Sequence, residues 1–211
     1  AMSEYHYLFG PVPSRRFGRS LGVDLLCAKT CSYNCVFCQL GRSASCTLER
    51  REYVPVDEVL DELRAWCQAD GSADYITLSG SGEPTLHSRF GDVLDFVSAH
   101  CKTPSLLLTN GSLLSDPQVR HAAARADLVK LSLSAWDDES LRRVNRPHPE
   151  VTFERLIGGY RAFRRERTAP IWLEVFLVPG LNDADDQVRR IAELAAELRP
   201  DRVQLNTAVR P

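Results

Sequence analysis

Cys31-Ser32-Tyr33-Asn34-Cys35-Val36-Phe37-Cys38 places three thiols within eight residues, spaced C-x3-C-x2-C, directly behind an apolar run. Thiolates this close converge on one centre without help from the rest of the chain. Soft sulfur donors select zinc, copper(I) or iron–sulfur clusters. A closed zinc site takes four ligands, and a closed cubane takes four cysteines. Three leave one metal position open, which suits chemistry more than scaffolding. Cys27 and Cys46 lie near enough in sequence to supply a fourth ligand, so a closed zinc or electron-transfer site stays open as a second reading. Burial as small hydrophobes, the common fate of free cysteine, does not explain the spacing.

Length and composition bound what surrounds this loop. A chain of 211 residues suits one domain with a sizeable core. The net charge of −2 gives no global basic field for nucleic acid, which weighs against RNA as a partner without deciding the matter. No apolar stretch is long enough to span a bilayer, so no membrane association is expected. Residues 1–5 lack the basic and apolar regions of a signal peptide. Seven cysteines without such a signal point to a reducing, cytoplasmic setting and to metal or catalytic use, not a disulfide framework.

Outward from the cysteines, apolar runs alternate with amphipathic stretches. Residues 5–20 contain Pro11 and Pro13 and predict an extended lead. Arg15, Arg16 and Arg19 in it are candidates for binding an anion or for a solvated turn. Strands are expected at 21–26, 74–79, 105–109, 128–134, 171–178 and 202–205. Helices are expected at 57–69, 89–100, 115–126, 138–145, 152–165 and 184–198, from apolar positions recurring with helical period. Ser115-Asp116-Pro117-Gln118 reads as a capping box opening the third helix, and Thr152 as the cap of the fifth. This alternation predicts an α/β fold, a partial (β/α)6 parallel barrel in a single domain. The lead is assigned to residues 1–20 and the barrel to 21–211. Six units fall short of the eight that close a TIM barrel, so an open side is expected.

In parallel α/β folds, ligands bind at the C-terminal ends of strands. The chemistry-bearing motifs all fall there: the cysteines after the first strand, Gly80-Ser81-Gly82-Glu83 after the second, Asn110 after the third, and Ser132 and Ser134 on the fourth. Glycines permit close backbone approach. Ser132 and Ser134 alternate and so face one side. Asn182 and Asn206 are weaker candidates, more often loop caps. His87, His121 and His148 show no ligand spacing and read as surface or capping residues. Arg143 and Arg146 either contact substrate or end a helix. Lys130 is assigned no role.

The cysteine motif, with an aromatic residue before its last cysteine, resembles the radical SAM superfamily. The resemblance extends through Ser79-Gly80-Ser81-Gly82-Glu83-Pro84, Leu108-Thr109-Asn110-Gly111 and residues 129–134, and so covers most of the chain. It implies the same partial barrel, with Cys31, Cys35 and Cys38 holding a [4Fe-4S] cluster whose fourth iron S-adenosylmethionine chelates. Phe37 would pack near the adenine. Gly80, Ser81 and Gly82 would receive the methionyl ammonium, Glu83 would steady their loop, and Asn110, Ser132 and Ser134 would reach ribose hydroxyls. Ser81 is an insertion relative to the family's glycine-glycine-glutamate stretch.

The implied reaction is reductive cleavage of the sulfonium to a 5′-deoxyadenosyl radical that abstracts hydrogen from a substrate. A reductant protein such as flavodoxin or ferredoxin is the implied electron donor. The lead also resembles a subgroup related to wyosine-type synthases, which favours a macromolecular substrate, a tRNA base; glycyl-radical activation of a protein and peptide modification stay open. That subgroup usually has proline where this chain has Cys27.

Overall fold

The computed structural model describes residues 5–14, 16–26, 28–42, 46–69 and 71–207. A seven-stranded sheet runs in sequence order: β1 (Leu8–Ser14), β2 (Gly18–Val23), β3 (Tyr75–Leu78), β4 (Ser105–Thr109), β5 (Leu128–Ser132), β6 (Ile171–Leu177) and β7 (Arg202–Thr207). β1 is antiparallel to β2, and every later pairing is parallel. Parallel neighbours need crossover connections. These contain α1 (Val56–Gln68), α2 (Phe90–His100), α3 (Pro117–Ala123), the pair α4 (Asp138–Val144) and α5 (Phe153–Glu166), and α6 (Asp185–Leu198). The fold is the expected single α/β domain, a sheet forming a partial parallel barrel.

The lead is not merely extended. Leu8–Ser14 forms an edge strand on β2, where prolines are tolerated because one side of the strand has no ladder to complete. The first parallel strand lies three residues earlier than the pattern predicts. Asp24 explains the shift, since its Oδ1 accepts from Leu26 N at 3.0 Å and turns the chain before the expected end. α3 is also shorter than expected, and its cap is Asp116, not Ser115: the Asp116 carboxylate accepts from Gln118 N. Thr152 caps α5 as predicted, accepting from Arg155 N.

Side chains alternate across each strand, and the two faces have different fates. One packs against the helices in a single core that includes Leu21, Val23, Ile76, Leu78, Leu107, Val129, Leu131 and Leu173. Helix residues such as Val59, Leu63, Phe90, Tyr160 and Ile191 complete it. The opposite face carries a smaller apolar cluster of Phe17, Leu106 and Leu128, packed by Tyr75, Leu108 and Trp172. Phe17 stacks on Trp172 with ring centroids 5.2 Å apart. This cluster floors the barrel interior, so Lys130 and Ser132, at two-residue steps from Leu128, and Glu174 and Phe176, likewise from Trp172, share its face and line the interior above it. Among the described residues no helix is long and apolar enough to cross a membrane.

Candidate metal and cofactor site

The cysteine loop leaves the C-terminal end of β2 and is tied on two sides. Thr30, just before Cys31, bridges in parallel to Gly82: Thr30 N donates to Ser81 O at 3.0 Å, and Glu83 N donates to Thr30 O at 3.0 Å. On the far side, the loop pairs with the segment that follows α4. Val36 N donates to Val144 O at 3.0 Å, Asn34 N to Asn145 O at 3.1 Å, and His148 N to Ser32 O at 2.8 Å. Tyr33 and Pro147 form an antiparallel bridge. The loop backbone is thus held like an added strand.

Among the described residues, N–H donors approach two of the three sulfurs. Cys31 Sγ is approached by Tyr33 N at 3.4 Å and Asn110 Nδ2 at 3.6 Å. Cys35 Sγ is approached by Asn145 Nδ2 at 3.3 Å. Burial pushes the Cys31 thiol up to about 12, with Glu83 adding to the effect, and the Cys35 thiol up to about 11, with the Asn145 bond opposing. N–H···S bonds are a known means of tuning cluster-bound thiolates.

Among the described residues, no three His, Cys, Asp or Glu side chains are gathered so as to hold a single metal ion. A cluster does not ask for such a gathering, since each thiolate binds a different iron. Cys46 turns its sulfur toward Arg146 O at 3.7 Å. Cys27 and Arg15 lie outside the described residues. The donor set fits a three-cysteine cluster.

Glu83 is the buried hub beside the loop, only 2 % exposed. Its Oε1 accepts from Thr85 N at 3.1 Å, Thr85 Oγ1 at 2.6 Å and Thr109 Oγ1 at 2.6 Å. Its Oε2 accepts from Asn110 N at 2.7 Å. One carboxylate therefore joins the ends of β3 and β4. Burial nevertheless raises its pKa, the hydrogen bonds opposing.

Gly82 is required by crowding, because a Cβ there would sit 1.7 Å from the Thr30 carbonyl oxygen. Gly82→Ala is expected to split the Thr30 bridge and cost about 3 kcal/mol, the scale of a forced steric insertion. Urea unfolding of the variant against the parent checks it; an unchanged midpoint would show that the bridge is dispensable.

The remaining sequence candidates divide. Asn110 sits against the loop, its Nδ2 3.0 Å from Ser32 Oγ and its Oδ1 accepting from Ser112 N. Ser132 is half-buried on the interior side of β5. Ser134 lies past the strand end, 3 % exposed, and its Oγ accepts from Phe176 N at 3.0 Å. Phe37 stacks on Phe176 with centroids 4.1 Å apart and planes 7° from parallel. Ser81 donates from both N and Oγ to Asp24 Oδ2. Asn182 is a loop clasp: its Nδ2 donates to Ser134 O and Phe176 O, and its Oδ1 accepts from Val178 N. Asn206 accepts locally from Thr207 N. His87 is not a surface residue. It is fully buried, with Nε2 2.9 Å from Val54 O and Nδ1 accepting from Arg89 N at the start of α2.

Sequence reasoning gave no role to five residues that the site uses. Asp24 anchors Ser81, and Asn145 reaches Cys35. The Tyr160 hydroxyl lies 2.8 Å from Asn110 O and 2.6 Å from Ser132 O, tying the ends of β4 and β5. Lys130 donates to Glu174 Oε1 at 2.9 Å, which also receives Arg16 Nη1 at 3.2 Å. These three charges form a polar layer in the interior between the apolar floor and Ser132. The Lys130 pKa is lowered by burial, with Glu174 opposing.

A sheet of this topology, with such a loop at its C-terminal rim, defines the partial-barrel class of radical SAM proteins. The model of the Radical SAM superfamily matches residues 25–204, and the chain belongs to that superfamily, whose members are S-adenosylmethionine-dependent iron–sulfur enzymes. Within it, a UPF0026 protein of Synechocystis sp. is 37% identical over 205 residues, covering 97% of this chain and 76% of that protein. A protein named GTPase Obg of Brachyspira hyodysenteriae is 39% identical over 203 residues, 96% of this chain but only 30% of that protein's length. Among solved structures, Streptococcus suis SuiB bound to S-adenosylmethionine aligns with a TM-score of 0.67 at 18% identity, covering 90% of this chain and 41% of SuiB. Archaeal TYW1 aligns at 0.60 with 14% identity, covering 89% of this chain and 64% of that one. At such identities these two structures share the fold.

Proposed function

We propose that Cys31, Cys35 and Cys38 hold a [4Fe-4S] cluster with one iron left for S-adenosylmethionine, and that the chain acts on a macromolecular substrate, a tRNA base first among the choices. The observation that carries this reading is the tie between motifs: the glycine segment bridges to Thr30 and Asn110 reaches Cys31, so two strand-end motifs are hydrogen-bonded to the cysteine loop. The bound cofactors supply reductive cleavage of the sulfonium to a 5′-deoxyadenosyl radical. The chain's own residues bind, orient and exclude water.

Ser81 O accepts from Thr30 N and keeps a second lone pair, so the Gly80, Ser81 and Gly82 carbonyls would together receive the methionyl ammonium. Glu83, held by its four donors, keeps that segment in place. Phe37 offers its ring to the adenine, and Ser132 and Asn110 offer short polar groups to the ribose. Ser134 supports the site through Phe176 N. The Arg16–Glu174–Lys130 layer would meet the substrate in the interior. A small reductant protein such as flavodoxin or ferredoxin, in the cytoplasm, would deliver the electron.

Anaerobic reconstitution with iron and sulfide tests the reading. About four irons per chain, a brown colour, and formation of methionine and 5′-deoxyadenosine on reduction are expected. A colourless protein carrying one zinc would sink it. Bulk tRNA compared with protein extracts, with deuterium transfer into 5′-deoxyadenosine as the readout, separates tRNA modification from glycyl-radical activation and peptide modification.

A further inference from the structure

At the opposite end of the barrel, where α5 and α6 run out toward the starts of β6 and β7, a cleft of about 720 Å³ is lined by Arg161, Arg164, Arg165, Arg167 and Arg199 with a single acid, Glu197. We propose that this cleft binds a phosphate-bearing ligand, a nucleic-acid backbone or a free nucleotide, independently of the cluster site. Five arginines line the cleft beside Glu197, with Asp201 and Glu166 at its edge, so positive charge outweighs negative here in a chain whose net charge is −2.

The arginines are not equally committed. Arg161 pairs with both oxygens of Glu197, at 2.5 and 2.9 Å, and Arg164 with Asp201 at 3.3 Å. Arg167, buried, donates to the carbonyls of Ala124, Ala126 and Asp127, which fixes the cleft wall, and its Nε has no hydrogen-bond partner. The Arg165 and Arg199 side chains are exposed and make no hydrogen bond or close ion pair among the described residues, although Arg165 lies near enough to Glu166 to help lower its pKa. Cations near helix C-termini interact favourably with the terminal carbonyls, which accounts for a basic residue at each helix end but not for five converging on one cleft.

Arg199 is the telling position. It caps α6 with φ +46°, the left-handed conformation in which glycine or asparagine is the usual residue. A long cation held there against backbone preference points to a role for its charge. The guanidinium fork matches phosphate oxygens in pairs, and the cleft volume is of nucleotide size.

The test is binding of labelled bulk tRNA, of GTP and of inorganic phosphate to the 211-residue chain, with salt varied. Arg165→Gln/Arg199→Gln is expected to weaken binding at least about tenfold and to reduce the slope of log K against log salt by about two. Arg165→Lys/Arg199→Lys is expected to retain most of it, and Cys35→Ala all of it. Binding of tRNA without competition by GTP or phosphate assigns the cleft to nucleic acid; competition by either assigns it to free nucleotides. The proposal is overturned if none of the three probes binds, if the glutamine variant binds like the parent, or if the lysine variant loses as much as the glutamine one. Because Cys35→Ala abolishes only the cluster, its binding separates failure here from failure of the proposed enzymatic function.

Discussion

Cys35→Ala is expected to reduce bound iron after anaerobic reconstitution from about four to under about one per chain, and to abolish cleavage of S-adenosylmethionine. Of the three cysteines it is the one held most directly by a distant side chain, Asn145 Nδ2 at 3.3 Å. With its sulfur removed, two thiolates remain, too few to retain a cubane against solvent. Cys46→Ala and Cys27→Ala are the controls. Cys46 turns its sulfur toward a backbone carbonyl, so its loss is expected to leave iron unchanged. If Cys27→Ala removes the metal instead, the centre is a closed four-cysteine site and the enzymatic reading fails. Iron and acid-labile sulfide analysis, with the absorbance of the reconstituted protein, decides among these.

The second large effect lies at Glu83. Glu83→Gln conserves shape but turns one acceptor oxygen into an NH2 group. Each oxygen faces a backbone N–H, from Thr85 on one side and Asn110 on the other, so either amide orientation sets two donors against each other. Leaving a buried donor unpaired costs about 1–3 kcal/mol, and that loss in unfolding free energy is the expected result. The pH dependence has a definite sign. Burial raises the Glu83 pKa above 4.5, so the folded state holds this proton more tightly than the unfolded chain does. Its contribution to stability is full below pH 4.5 and is lost as pH rises through the raised folded value. Glutamine does not titrate. The difference between parent and variant should therefore shrink as pH rises through that range; a difference constant from pH 4 to 8 would show that folding leaves the Glu83 pKa unshifted.

Much of this architecture was readable because the helices and parallel strands announce themselves by period. The predicted helix at 57–69 is Val56–Gln68, and the strand at 105–109 is Ser105–Thr109. The strand ends then placed the cysteines, the glycine segment and Asn110 on one rim. What the sequence concealed was of a different kind. Pro11 and Pro13 announced an extended lead but not its pairing, which an edge strand permits despite the missing N–H groups. The displaced end of β2 depended on a single side-chain bond from Asp24. Asn145 and Tyr160 act on the rim across separations of 110 and 50 residues, and no local spacing encodes a hydrogen bond of that reach. Lys130 sits between apolar neighbours in β5, and only the pairing of β5 with β6 brings Glu174 beside it.

The strap between the cysteine loop and residues 144–148 has a consequence for biosynthesis. A ribosome makes the thiols long before it makes their fastening, since the Cys35–Asn145 contact spans 110 residues. At roughly 5–20 residues per second, that interval lasts on the order of ten seconds. Throughout it the nascent loop has no fixed shape, so metal delivered during translation would meet three loose thiols on an unfinished sheet. Under the proposed cluster assignment, orderly loading follows the emergence and docking of the segment after α4.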